Sequence, residues 1–220
     1  MICSVVLAHM ASAPGDPIDL FIPGLCQPVS KQAAQEASED AGLVTAAQDG
    51  DRAAFGRLHD RYARMVHGVL LAKVPFQEVN DLVQDVFLTA LRRLRTLRAP
   101  ESFGAWLAAI ARNRASDYHR HSLPEDPLGD DDMTTLQLAV ANGADEDPNL
   151  ASKVLDVIKS LPDAYRETLV LRLVEGMTGP EIAARMQMTP GSVRVNLHRG
   201  MQQLRAKLSR SMHPSRQETP

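Results

Sequence analysis

The chain has 220 residues, enough for one domain or two small ones, and its net charge of −3 would on average argue against a nucleic-acid partner. Its two cysteines, Cys3 and Cys26, lack metal-ligand spacing and support neither a zinc site nor a disulfide framework, so a reducing cytoplasm is the expected compartment. The apolar opening Ile2 to Ala8 has no basic flank and is too short for a signal peptide or a membrane span, so no membrane insertion is expected.

The average charge hides a pattern. Residues 1–40 carry one Lys and five acids, and residues 41–122 carry twelve Arg/Lys against eight acids. Residues 123–150 carry eight acids and no base, and 151–220 carry eleven Arg/Lys against six acids. Two basic blocks are thus separated by an acidic one, and basic blocks are the footprint that phosphate binding needs.

Residues 1–42 are rich in Pro, Ala, Ser and Gln without a sustained period and read as a disordered tail, with residues 1–40 expected to be dispensable. Helical pattern starts near Leu43 and strengthens after Asp51, an N-cap. Phe55, Leu58, Tyr62, Met65, Val66, Val69 and Leu70 then form one stripe, and Pro75 stops the helix. In the next helix Leu82, Val83, Val86, Phe87, Ala90, Leu91 and Leu94 face inward, while Asp81, Gln84, Asp85, Leu88 and Arg92 face outward. The segment RTLRAPES is a loop, and Ser102 opens a helix FGAWLAAIARNRASDYHRH.

From 123 to 149 three Pro, two Gly and eight acids predict a flexible acidic linker, with a short helix over Met133 to Ala141 as an option. Asp147-Pro148 opens a helix to Ser160, and Pro162 to Val174 forms another, with Gly176 past its end. Almost nothing alternates with period two. The expected fold is all-α: two small helical domains, 43–122 and 150–210, joined by residues 123–149 and followed by a tail, 211–220.

Residues 178–208 carry the strongest signal. Thr178 with Glu181 is a capping box, Gln187-Met188-Thr189 a turn, and Thr189-Pro190 the start of a second helix. Val193, Leu197, Met201, Leu204 and Leu208 form its inward stripe. Gly191, Val195, His198, Arg199 and Gln202 then lie opposite, with Ser192, Arg194 and Asn196 on the flanks. Arginine can fork onto guanine and valine can touch a thymine methyl, so this outer face suits a major groove. An ordinary amphipathic helix pair would show the same stripe. No Gly-rich phosphate loop, nucleophile elbow or paired catalytic carboxylates appear, so no enzyme and no cofactor are expected. His119 and His121, at i and i+2, point apart on a helix and predict no metal site.

These blocks together resemble the extracytoplasmic-function sigma factors of bacterial RNA polymerase, within the sigma-70 superfamily. NDLVQDVFLTALRRL is similar to that family's region 2.2, and ESFGAWLAAIARNRASDYHRH to regions 2.3 to 2.4. LPDAYRETLVLRLVEGMTGPEIAARM with GSVRVNLHRGMQQLRAKL resembles region 4. Asn80 stands where the family commonly has a carboxylate, Gln187 where a turn glycine is frequent, and Arg194-Val195-Asn196 where a more basic triplet is usual.

The resemblance implies a promoter-specificity subunit responsive to stress or envelope signals. Glu78, Asp81, Gln84, Asp85 and Leu88 would meet the β′ clamp helices of core polymerase, and region 4 the β flap. Trp106, Arg112, Asn113, Arg114, His119 and Arg120 would take the opened −10 strand, the loop Thr96–Ser102 helping to shape a base pocket. Ser192, Arg194, Val195, Asn196, His198 and Arg199 would read −35 DNA. An anti-sigma inhibitor is a further expected partner. Simpler readings stand beside these: the acids as a solvated face, Trp106 as core. A helix-turn-helix regulator that binds an operator without polymerase is the alternative function.

Overall fold

A computed structural model describes residues 31–122 and 148–212, with side chains over 38–121 and 151–210. The tail before Lys31, the linker with its optional helix Met133 to Ala141, and the C-terminal tail after Met212 lie outside the described residues. Every regular element among those described is helical, as the periodicity predicts. The first half comprises α1 (Lys31–Gln48), α2 (Arg52–Leu71), α3 (Phe76–Arg93), two 3₁₀ turns (Leu94–Thr96 and Pro100–Ser102) and α4 (Phe103–Ser122). The second comprises α5 (Pro148–Lys159), α6 (Asp163–Leu173), α7 (Gly179–Met186) and α8 (Pro190–Met212).

Local chemistry sets these boundaries. The Asp51 carboxylate accepts from the Ala53 and Ala54 backbone N–H groups at 2.8 and 3.1 Å, satisfying two donors that α2 cannot pair internally. Pro75, which cannot sit inside a helix, is the N-cap residue of α3. The α2 stripe is buried from Leu58 through Leu70, with Phe55 packed at its edge. On α3 the inward set includes Val79, Val86, Phe87 and Ala90, but Leu91 is 49% exposed. It lies about 90° from the centre of the stripe at roughly 100° per residue, so the bundle leaves it at the rim beside Leu88.

Helix α1 corrects the expected tail. It begins at Lys31, ahead of the expected start of the first domain at Leu43, and is anchored by buried Asp40. That carboxylate accepts from the Tyr62 hydroxyl at 2.7 Å and from the Arg61 guanidinium. Burial, reinforced by the bond to Asp40, pushes the Tyr62 phenol well above its usual range. Farther along α1, the Gln48 amide donates to the carbonyls of Leu94 and Leu97 at 3.0 and 2.8 Å and fixes the turn before α4. Residues 31–40 therefore belong to helix α1 and not to the expected disordered tail. Removing 1–40 should lower thermal stability, because it takes Asp40 away from Tyr62 and Arg61. Asp40→Ala should cost about 1–3 kcal/mol, because it strands a buried hydroxyl and a guanidinium; a denaturant titration of both variants checks this.

The two halves share one core. Helix α6 is buried over five successive residues, Glu167 to Leu171, because it is covered on both sides. It packs on α2, while α7 packs on α4 and α1. Close approach is possible at two glycines. A Cβ on Gly68 would lie 2.7 Å from Leu171 Cδ2, and one on Gly104 would lie 2.2 Å from the Arg185 carbonyl oxygen. Gly68 sits inside α2, where glycine costs roughly 0.8–1 kcal/mol relative to alanine. Polar contacts follow the seam: Lys159 Nζ to Val74 O at 2.8 Å, Gln187 Nε2 to Glu101 O at 2.8 Å, and His67 Nδ1 with Glu175 Oε1 at 2.6 Å.

Candidate nucleic-acid interface

The helix-turn-helix is assembled as its sequence signals require. The Thr178 hydroxyl accepts from Glu181 N at 3.3 Å, and the Glu181 carboxylate accepts from Thr178 N at 2.7 Å and from its hydroxyl at 2.9 Å. Gln187 adopts the left-handed conformation, φ 52°, in the turn where the resemblance pointed to glycine. The Thr189 hydroxyl caps α8 by accepting from Ser192 N at 3.1 Å. Val193, Leu197, Met201, Leu204 and Leu208 are all buried. Gly200 lets α8 cross α6 closely, since a Cβ there would lie 3.0 Å from Leu169 Cδ1.

The capping box is pH-sensitive. Partial burial works to raise the Glu181 carboxyl, but the two bonds from Thr178 and the Arg185 and Arg64 guanidiniums together outweigh it and hold the group below its usual 4.5. A depressed carboxylate gives stability that is complete above 4.5 and is lost as pH falls through its lowered value. Glu181→Ala should cost about 1 kcal/mol at neutral pH. That difference should shrink in acid, as chemical denaturation at both pH values would record.

Because the stripe is buried, the opposite face of α8 is open. Ser192, Arg194, Val195, His198 and Arg199 are exposed and Asn196 is half-buried. Val195, at 44% exposure, is among the few large apolar side chains left to solvent among the described residues. Ser192 is partly engaged, its hydroxyl 2.8 Å from that of Thr189. Arg194 and Arg199 point outward with no ion pair among the described residues.

The polar set on α4 differs in one respect: its arginines are already held. Arg112 makes a forked contact with Glu167 of α6, Nε to Oε1 at 3.0 Å and Nη2 to Oε2 at 2.8 Å. Arg114 donates to Asp85 at 3.1 Å, and Arg120 pairs with Asp117. His119 Nε2 reaches the Lys73 carbonyl at 2.9 Å, and Asn113 is exposed. Trp106 is half-buried and packed against the core, its ring 5.8 Å from that of Phe103.

The outward face of α3 is the third surface. Asp81 and Gln84 are exposed, Leu88 is 51% exposed, and Glu78 is half-buried. Asp85 does not stand free as the periodicity implied. Its pairing with Arg114 ties this face to α4, whose residue it neutralises. Leu91, placed in the core by sequence reasoning, joins Leu88 here instead. Two further residues escaped that reasoning, Lys73 and Glu167. Glu167 is 8% exposed at the head of the buried run of α6, and a buried acid marks a paired charge.

Comparison with known proteins shows the family. The sigma-70 region 2 family model matches residues 58–122, and the sigma-70 region 4 model matches residues 151–204. The chain is 35% identical over 162 residues to the RNA polymerase sigma factor CarQ of Myxococcus xanthus, covering 73% of this chain and 92% of that protein. It is 32% identical to the ECF RNA polymerase sigma-E factor of Haemophilus influenzae, covering 77% and 95% respectively. Among solved structures it is similar to CnrH in complex with the cytosolic domain of CnrY, with 26% identity and a TM-score of 0.52. That match covers 77% of this chain and 97% of that one. No helix among the described residues is long and apolar enough to cross a membrane. The chain belongs to the extracytoplasmic-function sigma factors of the sigma-70 family and directs RNA polymerase to promoters.

Proposed function

We propose that the three surfaces divide the work of initiation. The outward face of α3, with Asp81, Gln84, Leu88 and Leu91, docks on the β′ clamp helices of core polymerase: an apolar centre rimmed by carboxylates suits a basic partner. Region 4 rests against the β flap and reads the −35 element through Arg194, Val195, Asn196, His198 and Arg199. Helix α4 receives the opened −10 strand, with Trp106 beside the base and Arg112, Asn113, Arg114, His119 and Arg120 along the backbone. The chain contributes binding energy and no catalytic step. An anti-sigma protein that covers these faces is the natural inhibitor, consistent with CnrH having been captured with the cytosolic domain of CnrY.

The observation that carries this reading is the outer face of α8: unpaired arginines flanking an exposed valine, opposite a fully buried stripe. Footprinting of the reconstituted holoenzyme on a cognate promoter tests it. Arg199→Ala should weaken protection at −35 and spare −10, whereas Arg112→Ala should leave −35 protected and prevent strand opening. Protection of an operator-like duplex by the chain alone, unchanged by adding core, would instead favour a polymerase-independent regulator.

A further inference from the structure

The contact between the two halves falls on residues that DNA would need. Glu167 is almost fully buried and is met by Arg112 at 2.8 Å and by Lys73 Nζ at 3.6 Å. Asp163, one turn earlier on α6, takes Lys73 Nζ at 2.8 Å. Both carboxylates that pair with Lys73 therefore come from region 4, and so does the one that pairs with Arg112. Lys73 also takes His119 Nε2 on its carbonyl, and it shares Glu167 with Arg112, so all three lie close together on region 2. Without α6, two cations there would lose the carboxylates that hold them.

A guanidinium fork binds carboxylate and phosphate oxygens with the same geometry, and a lysine ammonium accepts either as a point charge. Carboxylates at i and i+4 lie on one helix face, about 5–6 Å apart at their Cβ atoms. That is a spacing suited to imitating neighbouring phosphates on one strand. Resting on the reading that α4 takes the −10 strand, we propose that Lys73 and Arg112 form a backbone-phosphate site for promoter DNA, which Asp163 and Glu167 of region 4 occupy when the chain is closed on itself. Lys73 is thereby a DNA-contact residue, and region 4 is the first ligand of region 2.

The seam provides a way to separate closure from charge. The three atoms nearest to a Cβ built on Gly68 all belong to region 4: Leu171 Cδ2 at 2.7 Å, Glu175 Cγ at 2.9 Å and Leu171 Cγ at 3.5 Å. A larger side chain at this position obstructs docking while leaving every cation in place.

The experiment uses the full chain without polymerase. A fluorescein-labelled single-stranded oligonucleotide of mixed sequence is titrated by anisotropy, and small-angle scattering reports opening. Gly68→Gln and, separately, Glu167→Gln should enlarge the radius of gyration and tighten oligonucleotide binding by roughly ten-fold at low salt, where backbone contacts dominate. Adding Lys73→Ala to Gly68→Gln should remove most of that gain and reduce the salt slope by about one. Circular dichroism verifies that helix content is retained.

Opening without tighter binding overturns the proposal, as does a gain that Lys73→Ala leaves intact. So does a chain that stays compact in both opened variants. Failure here is distinguishable from failure of the −10 reading. If closure does not mask DNA but Arg112→Ala still prevents strand opening in the holoenzyme, only the masking is wrong. If Arg112→Ala opens promoters normally, the −10 reading itself falls.

Discussion

Asp81→Lys combined with Leu88→Lys should abolish capture of core polymerase and leave the chain folded. Both side chains are exposed on the outward face of α3, away from Val86, Phe87 and Ala90. Lysine is a good helix former, so neither change weakens α3 through propensity. What changes is the surface: one carboxylate is reversed, and the more exposed of two adjacent leucines becomes a cation. Against a basic partner these changes remove attraction, add repulsion and desolvate a charge at the contact centre. Together they should cost at least about 3 kcal/mol, or roughly a hundred-fold in affinity. Asp85 is left alone because its loss would release Arg114 and confuse docking with folding. Co-purification with core polymerase, with circular dichroism as control, reads the result. Capture at the parental level would mean that docking uses another face, and that Asn80 marks a real departure from the family's acidic pattern.

On α8, Arg194→Ala and Arg199→Ala should each weaken recognition of the −35 element by about 1–3 kcal/mol, the worth of a forked contact to a base. The double variant should lose initiation almost entirely at promoters that depend on −35. Neither arginine is held by a carboxylate among the described residues, so neither change removes an internal support of the fold. Val195→Ser should act differently. It replaces an exposed methyl pair by a hydroxyl, so it should change which base is preferred more than it changes affinity. Competition between promoter variants in a transcription assay separates the two effects. Equal use of the wild-type promoter by both arginine variants would contradict the assigned outer face.

Helix boundaries and the exposed face of α8 were legible because each rests on local chemistry. Asp51, Thr178 and Thr189 cap through their own side chains, and Val193 to Leu208 repeat at helical spacing. The same logic failed where burial depends on a partner element. Leu91 sits on the margin of its stripe, and only the bundle geometry decides that it is left outside. Asp85 obeys the period and points outward, but the pairing that claims it comes from Arg114, far along the chain. The early part of α1 offers no apolar stripe at all. Ala, Gln and Glu in KQAAQEASEDAG signal a helix by propensity alone, a weak signal beside a composition that also reads as disorder.

Docking of the halves was the least legible feature. Its sequence trace is the run RETLVLRLV, apolar on too many sides for a helix with one exposed face, with a lone glutamate that needs a buried cation. Nothing local identifies Arg112 and Lys73 as those cations. They come from another part of the chain, and that choice is made by shape, through Gly68 and Gly104, rather than by pattern.

Run-off transcription by purified core polymerase from a randomised promoter library, with and without the full-length chain, tests the central claim most directly. Sequencing of the initiated transcripts should recover two conserved elements at a fixed spacing, upstream of start sites used only when the chain is present. Arg194→Ala and Arg199→Ala should degrade the upstream element, and Arg112→Ala the downstream one. Initiation that is no more selective with the chain than without it, or selection of one element that no substitution in α4 alters, would contradict the account.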